Sequence, residues 1–151
     1  DGAAVHQSVP LGTVLRYFDG APQPPARFNR KLRDWKSRNS TGRLVVKSPA
    51  PANGAYPAGF VIHEGTYGTD ATPVLVVRCH YFITTDLRFE VLALPQPGMV
   101  RVLTRWNGKD ELKHLAPDRA AAEAWAERNR YSNLVLQPVE DALPVQIGRA
   151  A

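Results

Sequence analysis

The run PVLVVRCHYFITTDLRFEVLAL, Pro73–Leu94, constrains the fold more than any other stretch of the chain. It is dense in β-branched and aromatic residues, which pack well on a pleated surface. It is too long for one ordinary strand, and Thr84-Thr85-Asp86 supplies a natural break. A three-residue turn there predicts Ile83 opposite Leu87, Tyr81 opposite Phe89 and Cys79 opposite Val91, which gathers one apolar face. The other face then holds Phe82 opposite Arg88 and His80 opposite Glu90, with Arg78 beside them. A two-residue turn would mix the faces, so the three-residue hairpin is the expectation.

Strand signals continue on both sides. Met99–Trp106 and Lys109–Leu115 flank Asn107-Gly108, the best two-residue hairpin signal in the chain, which sets Arg105 across from Asp110. Leu11–Phe18, Arg43–Lys47, Phe60–His63 and Leu134–Val139 read as further strands. Ser48–Gly59 reads as a Pro/Gly/Ala-rich loop and Gly65–Asp70 as a turn.

Two helices interrupt the strands. The first covers about 25–38, opened by Pro25, with Phe28, Leu32 and Trp35 on one face toward a core. The second covers about 117–131, opened by Pro117-Asp118 and anchored by Trp125, with Arg119 and Glu123 as an i, i+4 pair. Residues 1–10 read as a loose end and about 141–151 as a tail. The expected fold is α+β: a mainly antiparallel sheet of about six to eight strands with two helices packed on it. At 151 residues, with 44% hydrophobic and 22% charged residues, a single domain over 1–151 is expected.

Charge is unevenly placed. Residues 27–47 carry eight basic side chains, Arg27, Arg30, Lys31, Arg33, Lys36, Arg38, Arg43 and Lys47, against Asp34 alone, a net +7. The whole chain is +5, so the remainder is −2. A near-neutral chain with one basic segment has the electrostatic footprint of a polyanion binder. The expected function is therefore a nucleic-acid-binding accessory or regulatory protein. Those eight residues would contact DNA or RNA phosphates, with Arg forks giving bidentate contacts. An acidic protein is the alternative partner. Trp106, beside the Asn107-Gly108 turn, and Tyr67 are the alternative platforms for an unpaired base.

A second reading is a small enzyme acting on an anionic substrate. The expected register sets His80 against Glu90 as an acid–base pair, with Arg78 or Arg88 as an anion clamp. Glu111-Leu112-Lys113 carries an E-x-K pattern that some metal-dependent nucleases use, but no acid stands between Glu90 and Asp110 to complete it. No phosphate-cradling glycine motif, CxxC pair or HExxH is present, so neither a cofactor nor a metal is expected. His63-Glu64 begins like HExxH but has Tyr67 where the second histidine would fall. Cys79 is the one cysteine and sits in an apolar run, which reads as a small core residue in a cytoplasmic protein. No stretch is long and apolar enough for a membrane helix, and no membrane partner is expected.

Overall fold

The computed structural model describes residues 1–67 and 73–140. In chain order the elements are α1 (Gly2–Ser8), β1 (Val14–Phe18), α2 (Asn29–Arg38), β2 (Ser40–Ser48), β3 (Gly59–Tyr67) and β4 (Pro73–Phe82). β5 (Arg88–Ala93), β6 (Val100–Trp106), β7 (Lys109–Ala116), α3 (Arg119–Arg128) and β8 (Leu134–Pro138) follow. The eight strands form one sheet whose pairings are all antiparallel. The expected order of strands and helices is present, with a third helix added at the front. The expected tail, 141–151, and the end of the expected turn at Gly65–Asp70 lie outside the described residues.

Residues 1–10 are not a loose end. Asp1 caps α1, its carboxylate accepting the Ala4 N–H at 2.9 Å. Val5 and Val9, one helical turn apart, are buried. They are part of the first core.

Strand β2 is the hub. One edge pairs with β3, while the other is divided between β1 (Ser40–Arg43) and β7 (Val46 against Glu111). The register shifts between Leu44 and Val46, so Val45 and Val46 are both buried and β2 feeds two cores. Leu15, Tyr17, Leu44, Phe60, Ile62, Leu87 and Phe89 fill the first. Val45, Val46, Val61, Leu103 and Leu112 fill the second. β2 and β3 approach closely where three strands meet. A Cβ on Gly42 would collide with Ile62 Cγ2 and stand 2.8 Å from the His63 carbonyl oxygen.

The Asn107-Gly108 hairpin forms as expected, both residues having positive φ, and Arg105 holds Asp110 at 2.7 and 3.1 Å. The Pro73–Leu94 hairpin does not form. β4 pairs with β3 and β5 pairs with β1. Leu87, in the connection between them, is buried in the first core. Tyr81 and Phe89 still meet, ring centroids 5.8 Å apart and edge to face, but across that core rather than side by side on a ladder. With those two rings turned inward, the alternating neighbours His80 and Glu90 point outward from different strands. Alternation specifies which residues face a core and leaves open which strand lies alongside. Here β1 and β3 offered equally apolar partners, Leu15 with Tyr17 and Phe60 with Ile62.

The second expected helix is present as α3. Asp118 caps it by accepting the Ala121 N–H at 2.8 Å, and Ala122 and Trp125 pack over Val100, Val102 and Ala116. The first expected helix is shorter than 25–38 and is not packed on the sheet. α2 buries none of its residues, Phe28 is 42% exposed, and Leu32 and Trp35 are only half-buried.

Candidate nucleic-acid interface

The anchoring of α2 comes from its C-terminal half. Trp35 donates its indole N–H to the Ala21 carbonyl at 2.8 Å, which folds the proline-rich entry back along the helix. Beside it Asp19 gathers the C-terminal turn. Its Oδ1 accepts the Ala21 N–H at 2.9 Å and the Asn39 amide at 3.0 Å, and its Oδ2 accepts Arg38 Nε at 3.2 Å. These donors, the Ala21 N–H foremost, hold the Asp19 carboxyl below the usual carboxylate range. Arg38 also donates to both oxygens of Asp86 at 2.9 and 3.0 Å, and those bonds, ahead of Asp19, raise its guanidinium further. A helix held through its C-terminal half can leave its other faces open.

Those faces carry Arg30, Lys31, Arg33 and Lys36, with Arg27 in the turn before them, all exposed. None of the five takes part in an ion pair among the described residues. Arg27 and Lys31 lie over the Phe28 ring, 4.9 and 5.3 Å from its centroid, which orients two of the charges without neutralising them.

The other three expected contacts sit elsewhere. Arg38 is committed to Asp19 and Asp86. Arg43 is partly buried and donates to the Gly12 carbonyl at 2.8 Å, fixing the approach to β1. Lys47 lies seven residues along β2 from Ser40, roughly 23 Å from the end that carries α2 at ordinary strand rise. It does not extend the α2 patch. A run of charge in sequence becomes a patch only within one element, and β2 carries its last cations away.

The residues of the enzymatic reading are dispersed. Glu90 bonds Arg16 at 3.2 Å rather than His80. His80 is exposed and lies beside Phe82, ring centroids 5.4 Å apart. Arg88 is exposed at the start of β5. Arg78 reaches the other way, donating to Glu111 at 2.8 Å and standing 3.3 Å from His63 Nε2. Lys113 also pairs with Glu111, at 3.2 Å, so both ends of the E-x-K pattern are tied to each other. Burial acts against the Glu111 charge, but the Arg78 and Lys113 bonds win and hold its carboxyl below the usual range. Cys79 is half-buried with its Sγ 4.0 Å from the Tyr17 hydroxyl, turned toward the first core. No group of three His, Cys, Asp or Glu side chains comes together among the described residues.

Two histidines give the molecule an acid-sensitive side. Burial, then Arg78, depresses His63. Burial, then Arg43 and Arg128, depresses His114, which stacks on Trp125 at 5.1 Å. Both fold more readily neutral than charged. Their contribution to stability is complete above the ordinary imidazole value of about 6.5 and is lost as the pH falls through their lower folded values. The melting temperature is expected to decline from pH 7.5 to pH 5, and to decline less in His114→Phe and His63→Gln. Parallel profiles for wild type and both variants would contradict this.

A family model described as "uncharacterised conserved protein UCP036055" matches residues 1–142, and the chain belongs to that family. No curated protein and no solved structure matches it. No helix among the described residues is long and apolar enough to cross a membrane.

Proposed function

We propose that the protein binds nucleic acid through the phosphate backbone, as an accessory or regulatory factor, with α2 as the contact element. One observation supports this above the others. A helix that buries nothing carries four exposed cations, with a fifth just before it, and no carboxylate pairs with any of them among the described residues. Exposed cations of this density repel one another. A polyanion relieves that repulsion and releases counterions as it does so. Ten helical residues span roughly 15 Å, enough to meet several phosphates of a duplex or a strand. The contact residues are Arg27, Arg30, Lys31, Arg33 and Lys36. Backbone contacts carry no sequence information, so binding is expected to be weakly specific.

The test is titration of labelled single- and double-stranded DNA and RNA at low salt, with unlabelled DNA and polyglutamate as competitors. Dissociation constants of roughly 10⁻⁴ to 10⁻⁶ M near physiological salt, and displacement by DNA well ahead of polyglutamate, are expected. Absence of binding at low salt would retire the reading. Displacement by polyglutamate at equal charge concentration would replace nucleic acid with an acidic protein partner.

A further inference from the structure

The end of the sheet away from α2 holds a second basic feature. A cavity of about 210 Å³ opens there, with Lys47 of β2 and Lys109 of β7 in its lining. Leu11, Pro49 and the Asn107-Gly108 turn also line it. The carboxylate in the lining, Asp110, is already gripped by Arg105 through two bonds. Lys47 is half-buried and has no carboxylate partner among the described residues. Arg101, whose Nε donates to the Leu11 carbonyl at 2.8 Å, adds a further positive charge behind it. Burial, then Arg101, pulls the Lys47 ammonium below the ordinary lysine range. A half-buried cation that other cations crowd is the position an anion would complete.

Trp106 stands next in the chain to the lining residue Asn107. Trp106 is 71% exposed, the most open large apolar side chain described. It is the cross-strand partner of Lys109 in the two-residue hairpin, so the two side chains rise from the same face of the ribbon. No aromatic ring and no cation stacks on its indole among the described residues. The size of the cavity limits its occupant. Sites for whole small-molecule ligands run from roughly 300 to 1,000 Å³, so this one admits a single small group while the rest of the ligand stays outside.

We propose that the cavity and Trp106 together bind one nucleoside-phosphate unit of a single strand, the phosphate between Lys47 and Lys109 and the unpaired base on the indole. The identity of the ligand rests on the reading of the protein as a nucleic-acid binder, whereas the site itself is independent of α2. A duplex cannot use it in the same way, because its bases are already stacked on one another.

Quenching of tryptophan fluorescence tests the site. The probes are a short oligothymidylate, thymidine monophosphate and a duplex of equal length. The proteins are wild type, W106L, K47M and the helix variant with Arg30, Lys31 and Arg33 changed to Ala. The strand is expected to quench wild type and the helix variant but not W106L, whose affinity falls roughly tenfold to a hundredfold with the loss of one stacked base. K47M is expected to bind the strand roughly tenfold more weakly, with a salt slope shallower by about 0.7. Its melting temperature should hold, since the substitution removes a crowded charge. Quenching by thymidine monophosphate at the strand's affinity assigns the unit to a free nucleotide, and tighter binding of the strand assigns it to a chain.

Quenching of W106L equal to that of wild type, or strand binding by K47M equal to that of wild type, overturns the proposal. The two readings also fail separately. If the helix variant loses duplex and strand while W106L keeps both, only the pocket falls. If strands quench Trp106 and the helix variant binds like wild type, only the role of α2 falls.

Discussion

Replacing Phe60 by Ala is expected to cost about 3–5 kcal/mol of stability, a large share of the roughly 5–15 kcal/mol that holds a domain together. Phe60 is fully buried in β3. Its ring meets Tyr81 of β4 at 5.9 Å and Phe89 of β5 at 5.3 Å. β4 and β5 share no ladder, so aromatic contact across the first core is what draws them together. Ala would leave a ring-sized void that Tyr17, itself fully buried with its hydroxyl on Glu64 at 3.0 Å, cannot move to fill. Denaturant unfolding should show a lower midpoint with an unchanged slope. Leu92→Ala, at a side chain 49% exposed, should stay within about 0.5 kcal/mol of wild type. A cost below about 1 kcal/mol at Phe60 would mean that the two strands are held by something other than this cluster.

Changing Arg30, Lys31 and Arg33 together to Ala is expected to weaken duplex binding roughly a hundredfold to a thousandfold at 0.1 M salt. That follows from about 0.9 decade of affinity per decade of salt for each of three phosphate contacts. The same change should leave the melting temperature where it is or raise it slightly. The three side chains are exposed and make no ion pair among the described residues. Ala is also the better helix former, and the substitution relieves repulsion between neighbouring cations. Arg38→Ala should behave in the opposite way. It breaks the links to Asp19 and Asp86 that hold the C-terminal end of α2. Local order of the helix should fall, and binding only as a consequence. Binding by the triple variant within a few-fold of wild type, or a substantial drop in its melting temperature, would contradict the separation of contact from scaffold.

The strands were legible in the sequence because alternation is a local property. Asn107-Gly108 set both its turn and its register, since a two-residue hairpin has only one way to face Arg105 with Asp110. Pro73–Leu94 shows where such reasoning ends. Its faces were read correctly, Tyr81 and Phe89 inward, but its neighbours were not, because pairing depends on distant strands of equal character. The helices split in the same manner. Asp118 and the alanines behind it announced α3, whereas the Phe28, Leu32 and Trp35 stripe looked like a core face and is nowhere more than half-buried. A helical stripe shows what could be buried and not whether a partner surface exists. α1 escaped notice because two valines one turn apart are a faint signal, although the capping Asp1 was there to be read.

The candidate site was legible as composition and not as place. The eight basic residues of 27–47 are contiguous in sequence, yet the fold divides them into an open helix, two structural arginines and a lysine at the far end of β2. The pocket that Lys47 lines draws on Lys109 and Asp110, more than sixty residues further on. No local pattern joins them. Only the exposed Trp106 at a tight turn hinted that this end of the molecule could meet a ligand.

The most direct measurement is the salt dependence of duplex binding by wild type and by the Arg30, Lys31 and Arg33 triple alanine variant, taken side by side. If α2 is the phosphate-contacting element, the wild-type log–log slope should be steeper than that of the variant by about 2.7, with both proteins equally folded. Identical slopes would place the phosphate contacts elsewhere on the molecule. Flat lines for both would remove nucleic acid as the partner.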